Sequence, residues 1–159
     1  MLFISDKGIR LIKSYEGCML RSYRCPAGKW TIGYGHTKDV QEDMFISQER
    51  ADLLLVDDIT DIERQLNQLQ LNLTQHQFDA ICGFVFNIGI GNFTKNSSLY
   101  KEVKENPCSD KVPELFSLWC KVNGKVNKGL QLRRRAEAYL YVNNRLEFRE
   151  KALFNFYPA

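Results

Sequence analysis

A carboxylate, a thiol and a hydroxyl, Glu16, Cys25 and Thr31, fall within one short stretch of this chain. Each type can move a proton, hold a water or attack an electrophilic carbon. Glu16 suits protonation of a leaving oxygen, and the other two suit control of an attacking water. The three types alone do not single out an enzyme class. A proton donor of this kind ordinarily works with a second carboxylate, and no Asp or Glu stands between Glu16 and Thr31. Asp39, Glu42 and Asp43 come later and read as loop residues.

The elements that position these groups are legible. Ser5 or Asp6 caps a first helix, with Ile9, Ile12 and Tyr15 at helical spacing and Leu11 beside them. Gly17 is a natural stop. Glu16 therefore sits in the last helical turn, where the negative end of the macrodipole disfavours its charged form. Arg21–Arg24 and Lys29–Tyr34 read as two short strands around a Pro26-Ala27-Gly28 turn. Trp30, Ile32 and Tyr34 share one strand face, suited to packing. Thr31, Gly33 and Gly35 share the other, nearly bare face. That face either admits a ligand close to the backbone or only relieves hairpin strain.

Ser47 caps a longer helix whose face runs through Ala51, Leu55, Ile59, Ile62 and Leu66. Asp57, Asp58, Asp61, Glu63 and Arg64 are expected on its solvated side. Thr74 caps a central apolar helix from Gln75 to about Ile88, with Phe78, Ile81, Cys82, Val85 and Phe86. The glycines of Asn87-Ile88-Gly89-Ile90-Gly91 end it. A short helix opens at Ser97 or Ser98, and Pro113 starts another that carries Leu115, Phe116 and Trp119. Asn123-Gly124 marks a small hairpin or loop, and a last helix begins near Gly129-Leu130. The Arg133-Arg134-Arg135 run is expected to be solvated, with a buried carboxylate or the substrate as the alternative partner. The aromatic tail, Phe148 and Phe154 to Tyr157, is expected to pack back on the body.

The result is an α+β domain of 159 residues. A small β lobe (about 18–46) is joined by a long helix to a helical lobe (about 70–159 plus the N-terminal helix). A net charge of +3 from 22 basic and 19 acidic residues reads as a mixed solvated surface. Five cysteines without a CxxC pair argue against a disulfide framework and a zinc knuckle, so the thiols are read as mostly free. The start of the chain is soon interrupted by charge and reads as neither signal peptide nor anchor.

The run Tyr15-Glu16-Gly17, Leu20-Arg21-Ser22-Tyr23 and Pro26 through Thr37 resembles the N-terminal motif of phage-type lysozymes. The resemblance continues at Phe84-Val85-Phe86-Asn87-Ile88-Gly89, at Asn92-Phe93 with Ser97-Ser98-Leu99, at Trp119, and at Gly129 through Glu137. It implies a lysozyme-like fold and a muramidase (endolysin) that cuts the β-1,4 bond between N-acetylmuramic acid and N-acetylglucosamine in peptidoglycan. It implies Glu16 as the acid and Thr31 as its partner. Cys25 stands where well-known members carry Asp, although cysteine recurs there in the family. Gly35, Phe86 and Ser98 match positions that line the saccharide cleft. Asn87 either binds an acetamido group or caps its helix, and Phe86 on periodicity alone is a core residue. The expected partner is the peptidoglycan glycan strand. No metal, cofactor, nucleic acid or stable membrane insertion is expected, and the chain is read as a monomer. It is expected to accumulate in the bacterial cytoplasm and to reach the wall through a holin-type lesion. The missing Asp leaves a second reading, a non-catalytic peptidoglycan- or partner-binding module on the same fold.

Overall fold

The computed structural model describes residues 1–146. The tail aromatics Phe148 and Phe154 to Tyr157 lie outside them. Helix α1 spans Asp6–Glu16 and is capped by Ser5, whose Oγ accepts from the Lys7 amide. Its consecutive buried residues serve two cores. Leu11 joins the core of the helical lobe, while Ile12 packs with Tyr34, Ala51, Leu55 and Ile59 beneath the β lobe. Tyr15 departs from the expected apolar stripe and is exposed. Its ring lies 6.0 Å from the Arg133 guanidinium and its hydroxyl donates to Leu132 O at 3.4 Å. A tyrosine can present its ring to a cation and its hydroxyl to water, so it tolerates that surface position.

Gly17 takes φ 66°, a left-handed turn that lets the chain leave α1 directly for a strand. Strands β1 (Met19–Arg24) and β2 (Trp30–Gly33) pair antiparallel, with Tyr23 opposite Thr31 and Arg24 opposite Trp30. Ile32 and Tyr34 are buried as their spacing predicts. The opposite face is not bare, however: Thr31 is 3% exposed, and a Cβ on Gly33 would come 3.6 Å from that of Ala51. Of the three residues on that face, only Gly35 is open to solvent.

Helix α2 (Gln48–Gln68) connects the lobes and is capped by Ser47. Its inner side is Ala51, Leu54, Leu55, Ile59 and Leu66. Glu63, expected among the solvated acids, is instead buried and accepts the Ile4 amide at 2.6 Å. Asn67 binds both backbone groups of Leu2, and Asp79 of the next helix accepts the Ser5 amide and hydroxyl. Polar side chains thus strap the mostly half-buried residues 2–5 onto the body and give their backbone groups partners.

His36 fixes the β lobe to α2, with Nδ1 at 2.9 and 3.0 Å from the two Asp58 carboxylate oxygens. The imidazole is nearly buried and Asp58 half-exposed. We expect His36→Asn to cost about 1 kcal/mol, a charge-assisted hydrogen bond discounted for exposure. A fall in Tm of about 2–4 °C measures it, and an unchanged Tm denies the pair any such role.

Helix α3 (Gln75–Ile88) begins with a Thr74–Gln77 capping box and runs through the centre of the helical lobe. Phe84 meets Phe93, Phe116 and Trp119 edge-on at centroid distances of 6.1, 5.3 and 6.1 Å. Helix α4 (Ile90–Asn96) follows at once; the two glycines at Gly89 and Gly91 gave no hint of it. Next come α5 (Ser98–Glu105, capped by Ser97) and α6 (Val112–Ser117, with Pro113 in its first turn). Trp119 lies beyond the end of α6. A hairpin of β3 (Lys121–Val122) and β4 (Lys125–Val126) turns at Asn123-Gly124, and α7 (Lys128–Asn143) closes the lobe against α3. All five cysteines are free, with Cys82 buried in the core as its apolar surroundings predict.

Candidate active site

Glu16 is the last residue of α1 and lies between the lobes. Arg133 Nη1 donates to its Oε1 at 2.5 Å from the helical side. Gly35 faces it from the β lobe: a Cβ there would stand 3.6 Å from Glu16 Oε2. The carboxylate is therefore held at one oxygen and approached by bare backbone at the other. Gly35 has φ 94°, a conformation that other residues adopt only with strain. The Ile32–His36 bridge, with amide–carbonyl bonds of 2.9 Å in both directions, folds this turn back. Gly35→Ala is expected to lose about 1–2 kcal/mol of stability. Its methyl would also sit in van der Waals contact with the open oxygen of Glu16, in the space a leaving oxygen needs, so kcat should fall by about tenfold. Activity that tracks Tm alone would contradict the second effect.

Cys25 sits at the start of the turn between the strands. Its amide donates to Lys29 O at 3.0 Å, and the Gly28 amide donates to Cys25 O at 2.8 Å. The Lys29 backbone amide holds the thiol below its ordinary range, outweighing desolvation, and the Thr31 hydroxyl and the Ala27 amide add to it. Such a ring of N–H groups favours a thiolate. Thr31 Oγ1 also reaches Lys29 O at 3.1 Å. Cys25 and Thr31 thus meet each other, while Gly35 meets Glu16. The two pairs are joined by β2 and its returning turn.

The cleft candidates divide. Phe86 is half-buried and packs against the cluster beneath the β lobe. Asn87 does not cap α3, which runs to Ile88 and is capped by Gly89. Its Oδ1 accepts from Arg134 Nη2 at 3.0 Å, drawing it into the ion-pair network behind Glu16. Ser98 opens α5 at an exposed position, and among the described residues no hydrogen bond ties it to that network.

For Arg133 and Arg134 the solvated reading of the arginine run fails and the alternative, a buried carboxylate as partner, holds. Arg133 and Arg134 are 4% and 1% exposed. They lie in the second turn of α7, which starts at Lys128. Both contact Glu137, which is wholly buried; Arg133 also reaches Gly83 O, and Arg134 lies 4.8 Å over the Phe84 ring. The missed signal was spacing: Arg133, Glu137 and Leu140 fall on one helical stripe, and Leu140 is core. Opposite charges at core positions of an apolar stripe indicate a buried pair, since neither tolerates burial alone.

The phage lysozyme family model matches residues 13–137, from before Glu16 to Glu137. The endolysin of Acyrthosiphon pisum secondary endosymbiont phage 1 is 46% identical over 145 residues, covering 88% of this chain and 98% of that one. Among solved structures, the muramidase domain of SpmX from Asticaccaulis excentricus superposes with TM-score 0.81 at 37% identity, covering 89% and 98% of the two chains. The endolysin of Escherichia coli O157:H7 phage FAHEc1 gives TM-score 0.81 at 31% identity, covering 92% and 98%. The matched region runs from the last turn of Glu16's own helix to the arginine that grips it, and the chain belongs to the phage lysozyme family.

Proposed function

We propose that this lysozyme is a muramidase that hydrolyses the β-1,4 bond between N-acetylmuramic acid and N-acetylglucosamine during host lysis. The observation that carries the reading is Glu16, held by Arg133 on one oxygen and open toward Gly35 on the other. In its protonated form Glu16 gives the proton to the glycosidic oxygen as the bond breaks. Cys25, with its thiolate favoured by the turn amides, and Thr31 beside it hold the attacking water. A thiol whose charged form the turn stabilises takes the place of the Asp of better-known members, orienting water toward the oxocarbenium-like transition state.

Gly35 and Phe86 line the glycan cleft in this reading, with Asn87 and Ser98 at its margin. The partner is peptidoglycan and the acting species is a monomer. Among the described residues no helix is long and apolar enough to cross a membrane. Our reading of delivery is accumulation in the cytoplasm and passage through a holin-type lesion. Purified sacculi test the activity: clearing with release of new reducing ends supports hydrolysis, while binding without reducing ends makes the chain a wall-binding module.

A further inference from the structure

The buried network behind Glu16 contains a carboxylate that the proposed reaction does not use. Glu137 Oε1 accepts from Arg133 Nε at 3.0 Å and from Arg134 Nη2 at 2.9 Å, and its Oε2 lies 2.8 Å from Arg134 Nε. Arg133 Nη2 donates to Gly83 O at 3.1 Å. Two nitrogens of the Arg133 fork are thereby fixed inside the protein, and the third points at Glu16. The four groups balance, two cations against two carboxylates, only while both acids are ionised.

We propose that Glu137 is a positioning residue: it fixes Arg133 against Glu16 and supplies the counter-charge shared by Arg133 and Arg134 when Glu16 takes up its proton. The proposal rests on Glu16 being the acid. Without Glu137, protonation of Glu16 would leave two buried cations with no anion, a costly arrangement. Burial pushes the Glu137 carboxyl up against the pull of both arginines, and burial likewise draws Arg134 down. Each charge therefore persists because of the others. Glu16 is the charged group facing this cluster from α1. Helix α3 contributes neutral acceptors, Gly83 O and Asn87 Oδ1, and among the described residues α6 brings no ion-pair partner to it.

The test separates positioning from simple support of α7. Arg134→Met/Glu137→Met removes one cation and one anion together and keeps side-chain bulk, a replacement buried pairs commonly tolerate. The folded double variant should lose about tenfold in kcat, with KM within about twofold. The alkaline limb of its pH–rate profile should move to lower pH, because the Arg133 charge then acts on Glu16 alone. Glu137→Asp, which keeps the charge, should recover part of kcat. Wild-type kcat and profile in the double variant would overturn the proposal. Glu16→Gln assayed alongside distinguishes the levels: if it stays fully active, the acid assignment fails first. Carboxyl-carbon NMR titration of the wild-type protein decides the matter should the double variant not fold. The Glu137 resonance is expected to step at the Glu16 midpoint, and a Glu137 signal blind to that step overturns the proposal.

Discussion

Glu16→Gln is expected to lower the rate of sacculus clearing by about 10²–10⁴-fold, the contribution of a positioned general acid. The amide keeps the size of the side chain and an oxygen for Arg133, but it has no proton to give to a leaving alkoxide. The fold should survive, because Arg133 keeps Glu137 and Gly83 O as partners when the Glu16 charge is gone. Glu16 is also more accessible than the rest of the network, with 19% of its side chain exposed. Tm should therefore stay close to wild type while kcat collapses. A variant that unfolds would make Glu16 a structural counter-ion; one that keeps wild-type activity would remove it from the chemistry.

The second large effect is at Cys25. Cys25→Ser should cost about 10–100-fold in kcat, because a hydroxyl stays neutral in the nest of amides that favours the thiolate. Cys25→Asp should keep a good part of the activity, since a carboxylate supplies the same charge permanently. The pH dependence follows from the sign of the shift. A thiol lowered from its usual range gains thiolate as pH rises, so the acid limb of the wild-type profile carries the thiol titration. In Cys25→Asp that limb should move down toward the carboxylate range, about pH 4. Full activity in the Ser variant would show that no charge is needed at this position. Loss of activity in Ser and Asp variants alike, with a trapped glycosyl–sulfur adduct, would give the thiol a covalent role.

The reactive strip was legible because its signals are local. A cap at Ser5, a stop at Gly17 and a Pro-Ala-Gly turn fix one helix end and one hairpin, and these set Glu16, Cys25 and Thr31. Helices α2 and α3 were legible for the same reason: long periodic faces with Ser47 and Thr74 at their starts. What stayed hidden was polar and long-range. Glu63, Asn67 and Asp79 look like surface residues until residues 2–5 lie across them and present open amides. Arg133 and Glu137 look like a solvated charge run until α7 docks on α3 and Glu16 meets them from a helix at the other end of the chain. Strand alternation puts Thr31 on an open face, whereas it is buried and its hydroxyl donates to Lys29 O inside the turn beside Cys25. Helix α4 was missed because two glycines read as a break, although the chain turns at Gly89 and resumes a helix.

The central claim is that Glu16 drives cleavage of one defined glycosidic bond, and the products test it most directly. Purified sacculi digested with wild type and with Glu16→Gln, then resolved by mass spectrometry, report which bond is cut. Wild type should release fragments ending in a reducing N-acetylmuramic acid, and Glu16→Gln should release none above background. Fragments ending in reducing N-acetylglucosamine, or equal release by the two proteins, would contradict the account.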